Sequence, residues 1–416
     1  WDREGHAIAT LMGHMSEVNS AIELRDGRLL SWAGAQFSKD TTLCLWDREG
    51  HAIRVLTEHT DVVISAIELG DGRLLSWSRD ATLCLWDREG HAIATLTGHK
   101  DRVVGAMQLA DGRLLSWGED YTLRLWDREG HAIATLMGHM SEVQGAMQLA
   151  DGRLLSWAGD PYDLYVKSYD NTLRLWDSDG HAIATLTGHK DRVVGAIQLA
   201  NGRLLSWSAD ANLKLWDSDG HDIRVLRQHM RSVNGAIELR DGRLLSWSQD
   251  NTLRLWDSEG HAIAELTGHT DNVVGAIELG DGRLLSWAGS YFRSKDNTLR
   301  LWDSDGTPID VLEQDYYDGD RQIIGAWAQK YRYRLDDFYP PKNGMDFLTA
   351  GGRVKWHWDS TDLIIYDPQT GATIHTFHGD APFKMKPVVL DGGRVLVAGD
   401  RMGRVLFLRW VGENAS

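Results

Sequence analysis

Histidine, serine and aspartate recur along this chain in sets that could relay a proton. His59, Ser76 and Asp80 form one such set. A histidine that takes a proton from a serine hydroxyl while a carboxylate orients it is the arrangement that many hydrolases use. The same residue types return seven times at matching positions, however, and an active site is a singular feature. The repetition favours a structural role, and no catalytic residue is expected.

A second histidine series follows the Trp-Asp pairs and invites a metal-binding interpretation. Its members are His6, His51, His91, His131, His181, His221 and His261, and the two series of seven account for 14 of the 17 histidines. Each copy belongs to a different repeat, so neighbouring imidazoles are expected to lie too far apart to ligate one ion at about 2 Å. The acidic cluster Asp315, Asp318 and Asp320 lacks the calcium-loop pattern. No metal or cofactor is predicted.

These residues are carried by a repeat of about 40 residues, of which residues 59–98 are a representative copy. Short runs rich in Val, Ile, Leu and Trp alternate with Asp-Gly, Asn-Gly and Glu-Gly pairs, a pattern typical of antiparallel strands joined by hairpins. Each period holds four such runs, and no segment has a helical periodicity. Four-stranded sheets that pack face to face around an axis bury both of their faces, so the sequence predicts an all-β propeller.

Residues 1 to about 312 resemble the WD-repeat (WD40) family. The resemblance rests on Leu-Trp-Asp triplets from Leu45-Trp46-Asp47 to Leu301-Trp302-Asp303, and on Gly-His pairs such as Gly98-His99. It implies that a histidine, a serine, an aspartate and a tryptophan form a hydrogen-bonded chain in each blade. The matching sets include His59, Ser76, Asp80 and Trp86 in the second blade and His99, Ser116, Asp120 and Trp126 in the third. It also implies a non-catalytic binding module.

The blade count follows from the inner three-strand units. Nine such units end at Trp46, Trp86, Trp126, Trp176, Trp216, Trp256, Trp302, Tyr366 and about Leu408. The outermost strand also occurs nine times, first near the N-terminus. Residues 1–416 are therefore expected to form one nine-bladed domain with four antiparallel strands per blade, closed by pairing of the N-terminal strand with the C-terminal blade. Regular repeats span 1–312 and divergent blades 313–416, and eight blades or an incomplete ring are the alternatives.

Recognition is expected where the repeat is interrupted. Extra residues enter the first, fourth and seventh blades before the turn aspartate, and each insert begins with Ala-Gly. Loops on a rigid frame carry function, and aromatic and hydroxyl side chains suit adaptable contacts. The predicted partner-binding residues are Phe37, Lys39, Tyr162, Tyr165, Lys167, Tyr169, Tyr291, Phe292, Arg293 and Lys295 in the inserts, and Trp356 and Trp358 in the eighth blade. The alternative is that these loops have drifted without function.

Composition narrows the class of partner. A net charge of −16 disfavours nucleic acid or an anionic membrane, and no apolar stretch approaches the about 20 residues that cross a bilayer. Cys44 and Cys84 share one repeat position and are expected to be free thiols at the surface, which fits a cytoplasmic protein. The chain begins within a repeat motif at Trp1, so upstream residues are expected.

The function predicted from these features is recognition of a protein or peptide, or of another domain of the same full-length chain. Near-identical repeats resemble those of bacterial multidomain signalling or defence proteins, in which this module would be the sensor part. A small ligand or glycan in the central channel is the alternative.

Overall fold

The computed structural model describes residues 9–34, 40–159, 170–289, 296 and 298–313 and, beyond these, seven strands between residues 347 and 409. These residues contain strands and turns, and no helix occurs in them. The predicted all-β class is confirmed for this part of the chain. None of the described residues forms a helix that could cross a membrane.

The strands form nine four-stranded sheets, numbered here in the order of the units counted in the sequence. β1 covers Ala9–Met12. Sheet 1 contains β2 (Val18–Glu23), β3 (Leu29–Ala33), β4 (Leu43–Trp46) and β5 (Ala52–Leu56). Sheet 2 contains β6 (Val63–Glu68), β7 (Leu74–Ser78), β8 (Leu83–Trp86) and β9 (Ala92–Leu96). Sheet 3 contains β10 (Val103–Gln108), β11 (Leu114–Gly118), β12 (Leu123–Trp126) and β13 (Ala132–Leu136).

Sheet 4 contains β14 (Val143–Gln148), β15 (Leu154–Ala158), β16 (Leu173–Trp176) and β17 (Ala182–Leu186). Sheet 5 contains β18 (Val193–Gln198), β19 (Leu204–Ser208), β20 (Asn212–Trp216) and β21 (Asp222–Arg227). Sheet 6 contains β22 (Val233–Glu238), β23 (Leu244–Ser248), β24 (Leu253–Trp256) and β25 (Ala262–Leu266). Sheet 7 contains β26 (Val273–Glu278), β27 (Leu284–Ala288), β28 (Thr298–Trp302) and β29 (Pro308–Glu313).

Sheet 8 contains β30 (Phe347–Thr349), β31 (Gly352–Trp356), β32 (Asp362–Tyr366) and β33 (Thr373–His378). Sheet 9 contains β34 (Val388–Leu390), β35 (Val395–Gly399) and β36 (Arg404–Arg409), and its fourth strand is β1. The pairing of β1 with β36 is antiparallel and sets Leu11 opposite Val405. Adjacent sheets contact each other from sheet 1 to sheet 7, as do sheets 8 and 9 and sheets 9 and 1. A contact between sheets 7 and 8 would complete a ring of nine, and that closed ring stays a prediction.

The core lies between neighbouring sheets rather than within one. One cluster combines Leu75 and Trp77 of sheet 2 with Val103, Leu114 and Trp126 of sheet 3. Burying one large apolar side chain stabilises a fold by about 1.5–3 kcal/mol, so the repeated clusters are the main force that holds adjacent sheets together.

Hydrogen bonds also join the sheets, at the end of the first strands. The Gly70 amide of sheet 2 donates to Gln108 Oε1 of sheet 3 at 2.7 Å. The amide of Ala200 in sheet 5 donates to Glu238 Oε2 of sheet 6 at the same distance. Equivalent bonds join Arg25 to Glu68, Ala110 to Gln148, Ala150 to Gln198 and Arg240 to Glu278. An amide in an exposed turn of one sheet is thus bonded to a side chain of the next sheet.

The prediction that the two cysteines lie at the surface is wrong. Cys44 and Cys84 are free but fully buried: Cys44 Sγ lies 3.9 Å from Nδ1 of the buried His14, and Cys84 packs in the apolar cluster between sheets 1 and 2. Burial raises the pKa of each thiol to about 12, so these cysteines are poor nucleophiles.

Candidate recognition surface

The histidine, serine, aspartate and tryptophan of each repeat lie in one hydrogen-bonded chain. In sheet 2, His59 Nε2 is 2.8 Å from Ser76 Oγ, and His59 Nδ1 is 3.0 Å from Asp80 Oδ2. The indole N–H of Trp86 donates to Ser76 Oγ at 3.0 Å. The chain in sheet 3 has the same partners, with His99 bonded to Ser116 and Asp120, and Trp126 bonded to Ser116.

The chemistry of the four groups fixes the direction of each bond. An ionised carboxylate only accepts, so His59 donates from Nδ1 to Asp80. A neutral imidazole then has only Nε2 left as an acceptor, and the Ser76 hydroxyl donates to it. An indole only donates, so Ser76 Oγ also accepts from Trp86. Every polar atom of the chain is satisfied when histidine is neutral and aspartate is charged.

The pKa values agree with these protonation states. Burial disfavours the charge on Asp80, but hydrogen bonds from His59 and Thr82 outweigh it and lower the pKa of this carboxyl to about 2. Similar contacts lower the pKa of the other turn aspartates that the structure describes, Asp40, Asp120, Asp170, Asp210, Asp250 and Asp296. Burial lowers the pKa of His139, and lowers that of His269 to about 4.

The chain has the bonding order of a catalytic triad but not its accessibility. A nucleophilic serine must present its oxygen to a substrate. Ser76 is fully buried, and its oxygen is already occupied by the histidine and the indole. The arrangement is suited to bracing a sheet, because each buried polar group has a partner.

These hydrogen-bonded chains lie at the same end of every sheet, and we call this end the rim. The rim comprises the residues around each repeat histidine and the turn between the second and third strands. In sheets 2, 3, 5 and 6 this turn is short, and the residue after the aspartate has a positive φ: Ala81 (65°), Tyr121 (67°), Ala211 (69°) and Asn251 (70°). Residues with a Cβ rarely adopt this conformation, which costs them about 1–2 kcal/mol.

Sheets 1, 4 and 7 carry the inserts in place of the short turn, but they keep the bonds on either side of it. The Gly34 amide donates to the Glu17 carbonyl at 3.1 Å, as the Arg79 amide does to Val62 in a short turn. At the far side of the fourth-sheet insert, Asp170 is bonded to His139 and to the Met140 amide. Each insert therefore starts and ends at positions that the hydrogen bonds of its sheet hold.

The glycine at the start of each insert has a steric reason. A Cβ on Gly34 would lie 2.7 Å from Val62 Cγ1 of the next sheet, and one on Gly159 would lie 2.3 Å from Arg192 Cβ. The φ of Gly34 is also positive, at 143°. The shared Ala-Gly of the inserts thus reflects a close approach between neighbouring sheets.

The predicted partner-binding residues lie outside the described residues. These are Phe37, Lys39, Tyr162, Tyr165, Lys167, Tyr169, Tyr291, Phe292, Arg293, Lys295 and Trp358. Trp356 is the last residue of β31, of which the structure describes only the backbone. Their role in binding therefore stays a prediction.

The described part of the rim shows apolar side chains that sequence reasoning missed. Met12 and Met15 flank His14, Met137 and Met140 flank His139, and all four methionines are exposed. Tyr121 of sheet 3 is exposed as well. Sheet 6 carries a third methionine after its histidine, the exposed Met230, and the remaining repeats carry Thr or Lys there, so an alignment of the repeats with each other would have revealed these positions.

The second histidine series lies in exposed turns. His51 Nδ1 is 3.0 Å from Asp47 Oδ2, and its amide donates to the other carboxylate oxygen at 2.7 Å. The five described equivalents make the same pair of contacts. Among the residues that the structure describes, no group of three His, Cys, Asp or Glu side chains could hold a metal ion. These pairs close the turn before the fourth strand.

Comparison with known proteins finds a family model that matches two of the repeats and solved structures that are similar to this chain. The family model "WD domain, G-beta repeat" matches residues 5–47 and 260–303. The crystal structure of a computationally designed protein, Ika8, is 19% identical and has a TM-score of 0.53, covering 97% of this chain and 100% of its own. The WD40 β-propeller domain of Doa1 is 24% identical with a TM-score of 0.42, covering 71% of this chain and 95% of that domain. No curated protein sequence matches the chain.

Proposed function

Since this chain belongs to the WD-repeat family, we propose that it is a non-catalytic module that recognises a protein or peptide on the rim carrying the three inserts. The family's propellers generally mediate protein interactions, and the inserts are the largest departures of this chain from its own repeat. Recognition of another domain of the same full-length chain, in a sensor role, belongs to this proposal.

The observation that supports the proposal is the preserved frame around each insert. The amide at its start and the aspartate at its end make the same bonds as in the short turns. The segments that differ between repeats are thus attached at fixed positions of the frame, as in scaffolds that carry recognition loops. The aromatic and hydroxyl composition of the inserts suits such contacts.

A closed ring of nine blades is part of the same proposal. The pairing of β1 with β36 and the contact between sheets 9 and 1 support closure at the chain ends. A closed ring would place sheets 1, 4 and 7, which carry the inserts, at equal intervals around its axis.

The alternative of a small ligand in the central channel has less support. Polar side chains of the innermost strands are used between sheets: Asn19 Nδ2 donates to the Val63 carbonyl, and Asn234 Nδ2 donates to the Val273 carbonyl. Their neighbours at the same position, such as Val104 and Val194, are apolar. Groups already committed to bonds between sheets are poor anchors for a polar ligand.

Replacement of the inserts tests the proposal. In all three sheets the segment from the Ala-Gly pair to the residue after the turn aspartate is replaced by Ser248-Gln249-Asp250-Asn251, because Asn251 supplies the positive φ that the short turn needs. Proteins captured from lysate by the variant and the parent are compared by quantitative mass spectrometry. We expect the partners of the parent chain to be lost.

A matched control applies the same replacement to a sheet that has no insert. Residues Ser78-Arg79-Asp80-Ala81 of sheet 2 are exchanged for the sheet 6 turn, and the partners should remain. Retention of all partners by the triple-insert variant, with an unchanged melting temperature, would refute recognition by the inserts. A small molecule that only the parent chain retains in native mass spectrometry would support the channel alternative.

A further inference from the structure

The rim of sheet 4 presents an apolar cluster whose backbone is fixed. Met137 and Met140 are 69% and 68% exposed on either side of His139. The Met140 amide donates to Asp170 Oδ2 at 2.7 Å, and Arg174 Nη2 donates to the Gly138 carbonyl between the two methionines. The methionines therefore project from a held segment, and exposed apolar clusters of this kind mark interaction sites.

Tyr121 of sheet 3 is a further exposed apolar side chain on this part of the rim. In sheet 1 the residue after the turn aspartate, Thr41, lies next to the histidine of the following sheet, because its hydroxyl donates to the His59 carbonyl at 2.9 Å. Tyr121 has the equivalent position before His139, with its side chain 47% exposed and its φ at 67°. The other short turns carry Ala or Asn there, so an aromatic side chain in a strained conformation is particular to this sheet.

Two lysines flank the cluster. Sheets 3 and 5 carry the same Lys-Asp-Arg sequence after the repeat histidine, where sheet 4 carries Met-Ser-Glu. Lys100 and Lys190 are both exposed, and neither ammonium forms an ion pair with any residue that the structure describes. One lysine stands on each side of Met140.

The carboxylates near these lysines already have partners. Asp101 accepts the Arg102 amide at 2.8 Å, and Asp191 accepts the Arg192 amide at 2.7 Å. Glu119 pairs with Arg102 at 3.1 Å, Glu142 accepts from Gln144 at 3.1 Å, and Asp170 is bonded to His139. Lys100 and Lys190 are thus positive charges that acidic side chains of a partner would complement.

We infer that Tyr121, Met137, Met140, Lys100 and Lys190 form a subsite for a peptide segment with apolar side chains at its centre and acidic side chains at both ends. Methionine adapts to varied apolar partners, and the lysines pair with the flanking carboxylates. The inference rests on the proposed function and names the chemistry of the partner for one position of the rim.

A fluorescently labelled probe peptide tests the subsite. The probe has Leu-Phe-Leu at its centre and two glutamates on each side, and its binding to the full chain is followed by fluorescence anisotropy. We expect binding that weakens as salt rises, because the Debye length falls from about 10 Å at 0.1 M to about 3 Å at 1 M. A probe with lysines in place of the glutamates should bind at least about tenfold more weakly.

Matched variants locate the binding. Met137→Ser with Met140→Ser, and separately Lys100→Glu with Lys190→Glu, should each weaken the glutamate probe at least about tenfold. Met12→Ser with Met15→Ser changes the equivalent pair around His14, which is at least as exposed. The sheet that follows this pair carries Thr60 in place of a lysine, and binding should be unchanged. Arg231→Glu on the rim of sheet 6 reverses a charge outside the subsite, and binding of the glutamate probe should be unchanged.

Several results would overturn the inference. These are equal binding of both probes, equal loss in the sheet 1 control pair, or sheet 4 variants that alter only self-association of the chain in sedimentation. Thermal melts of all variants show whether the fold is kept. If the insert replacement abolishes capture of partners while the probe results are negative, the proposed function stands and only the subsite fails.

Discussion

The substitution Ser206→Ala removes the centre of one hydrogen-bonded chain with little change in volume. Ser206 Oγ lies 2.9 Å from His189 Nε2 and accepts the Trp216 indole N–H at 2.9 Å. Ser206 is fully buried and Trp216 is 1% exposed, so water cannot replace the lost oxygen. Each buried group left without a partner costs about 1–3 kcal/mol, and two such groups predict a loss of about 2–6 kcal/mol.

Urea unfolding monitored by tryptophan fluorescence measures this loss. Hydrogen exchange of the sheet 5 amides measures the local opening, because repeat folds can unfold in parts. Ser178→Ala, in an exposed turn of sheet 4, is the matched control and should change stability by no more than about 0.5 kcal/mol.

A double-mutant cycle measures the coupling between Ser206 and Trp216. In a Trp216→Phe background the indole N–H is absent, so Ser206→Ala leaves only His189 Nε2 unpaired and should cost about 1–3 kcal/mol less than in the parent chain. If Ser206→Ala costs no more than Ser178→Ala, or if its cost is the same in both backgrounds, the hydrogen-bonded chain does not stabilise the sheet as argued.

Three further predictions concern acid, backbone conformation and packing. Folding lowers the pKa of His269 to about 4, so below pH 6.5 the unfolded chain binds more protons than the folded chain. The free energy of unfolding, measured by urea titration, should therefore fall by about 2 kcal/mol between pH 7 and pH 5. An equal free energy at both pH values would contradict this prediction. Ala211→Gly should raise the melting temperature and increase the free energy of unfolding by about 0.5–1 kcal/mol, because glycine adopts the φ of 69° without strain. Thr41→Gly, in an insert-bearing sheet, is the control and should lower the melting temperature. Gly105→Ala should cost about 1–3 kcal/mol in urea unfolding because its Cβ would lie 2.4 Å from Trp117 Cζ2, whereas Gly280→Ala, with open space around it, should be nearly neutral.

The sequence was most informative where the repeat is regular. The fixed positions of His59, Ser76 and Trp86 in their repeat are the positions that the hydrogen-bonded chain joins. Alternating apolar runs and Asp-Gly turns predicted the four-stranded sheets for the same reason: each period supplies one complete set of strands.

Features that depend on contacts between strands or sheets were not predictable in this way. Arginine stands at the Cys84 position in later repeats and suggested exposure, but Cys84 packs in the apolar cluster between sheets 1 and 2. The positive φ of Tyr121 could not be predicted, because the sequence has no glycine at this position. It results from the short turn that follows a hydrogen-bonded aspartate. The exposure of Met140 depends on how the next sheet packs.

The bonds between the Gly70 amide and Gln108, and their equivalents, bear on how such a chain can arise by duplication. The donor is a backbone amide, which any residue at that position except proline provides, and the acceptor is a Glu or Gln that the described repeats carry in common. A repeat copied from anywhere in this series brings a donor for the following unit and an acceptor for the preceding one. Gene segments encoding whole repeats could thus be gained, lost or exchanged without evolving a new junction, leaving the inserts free to diverge.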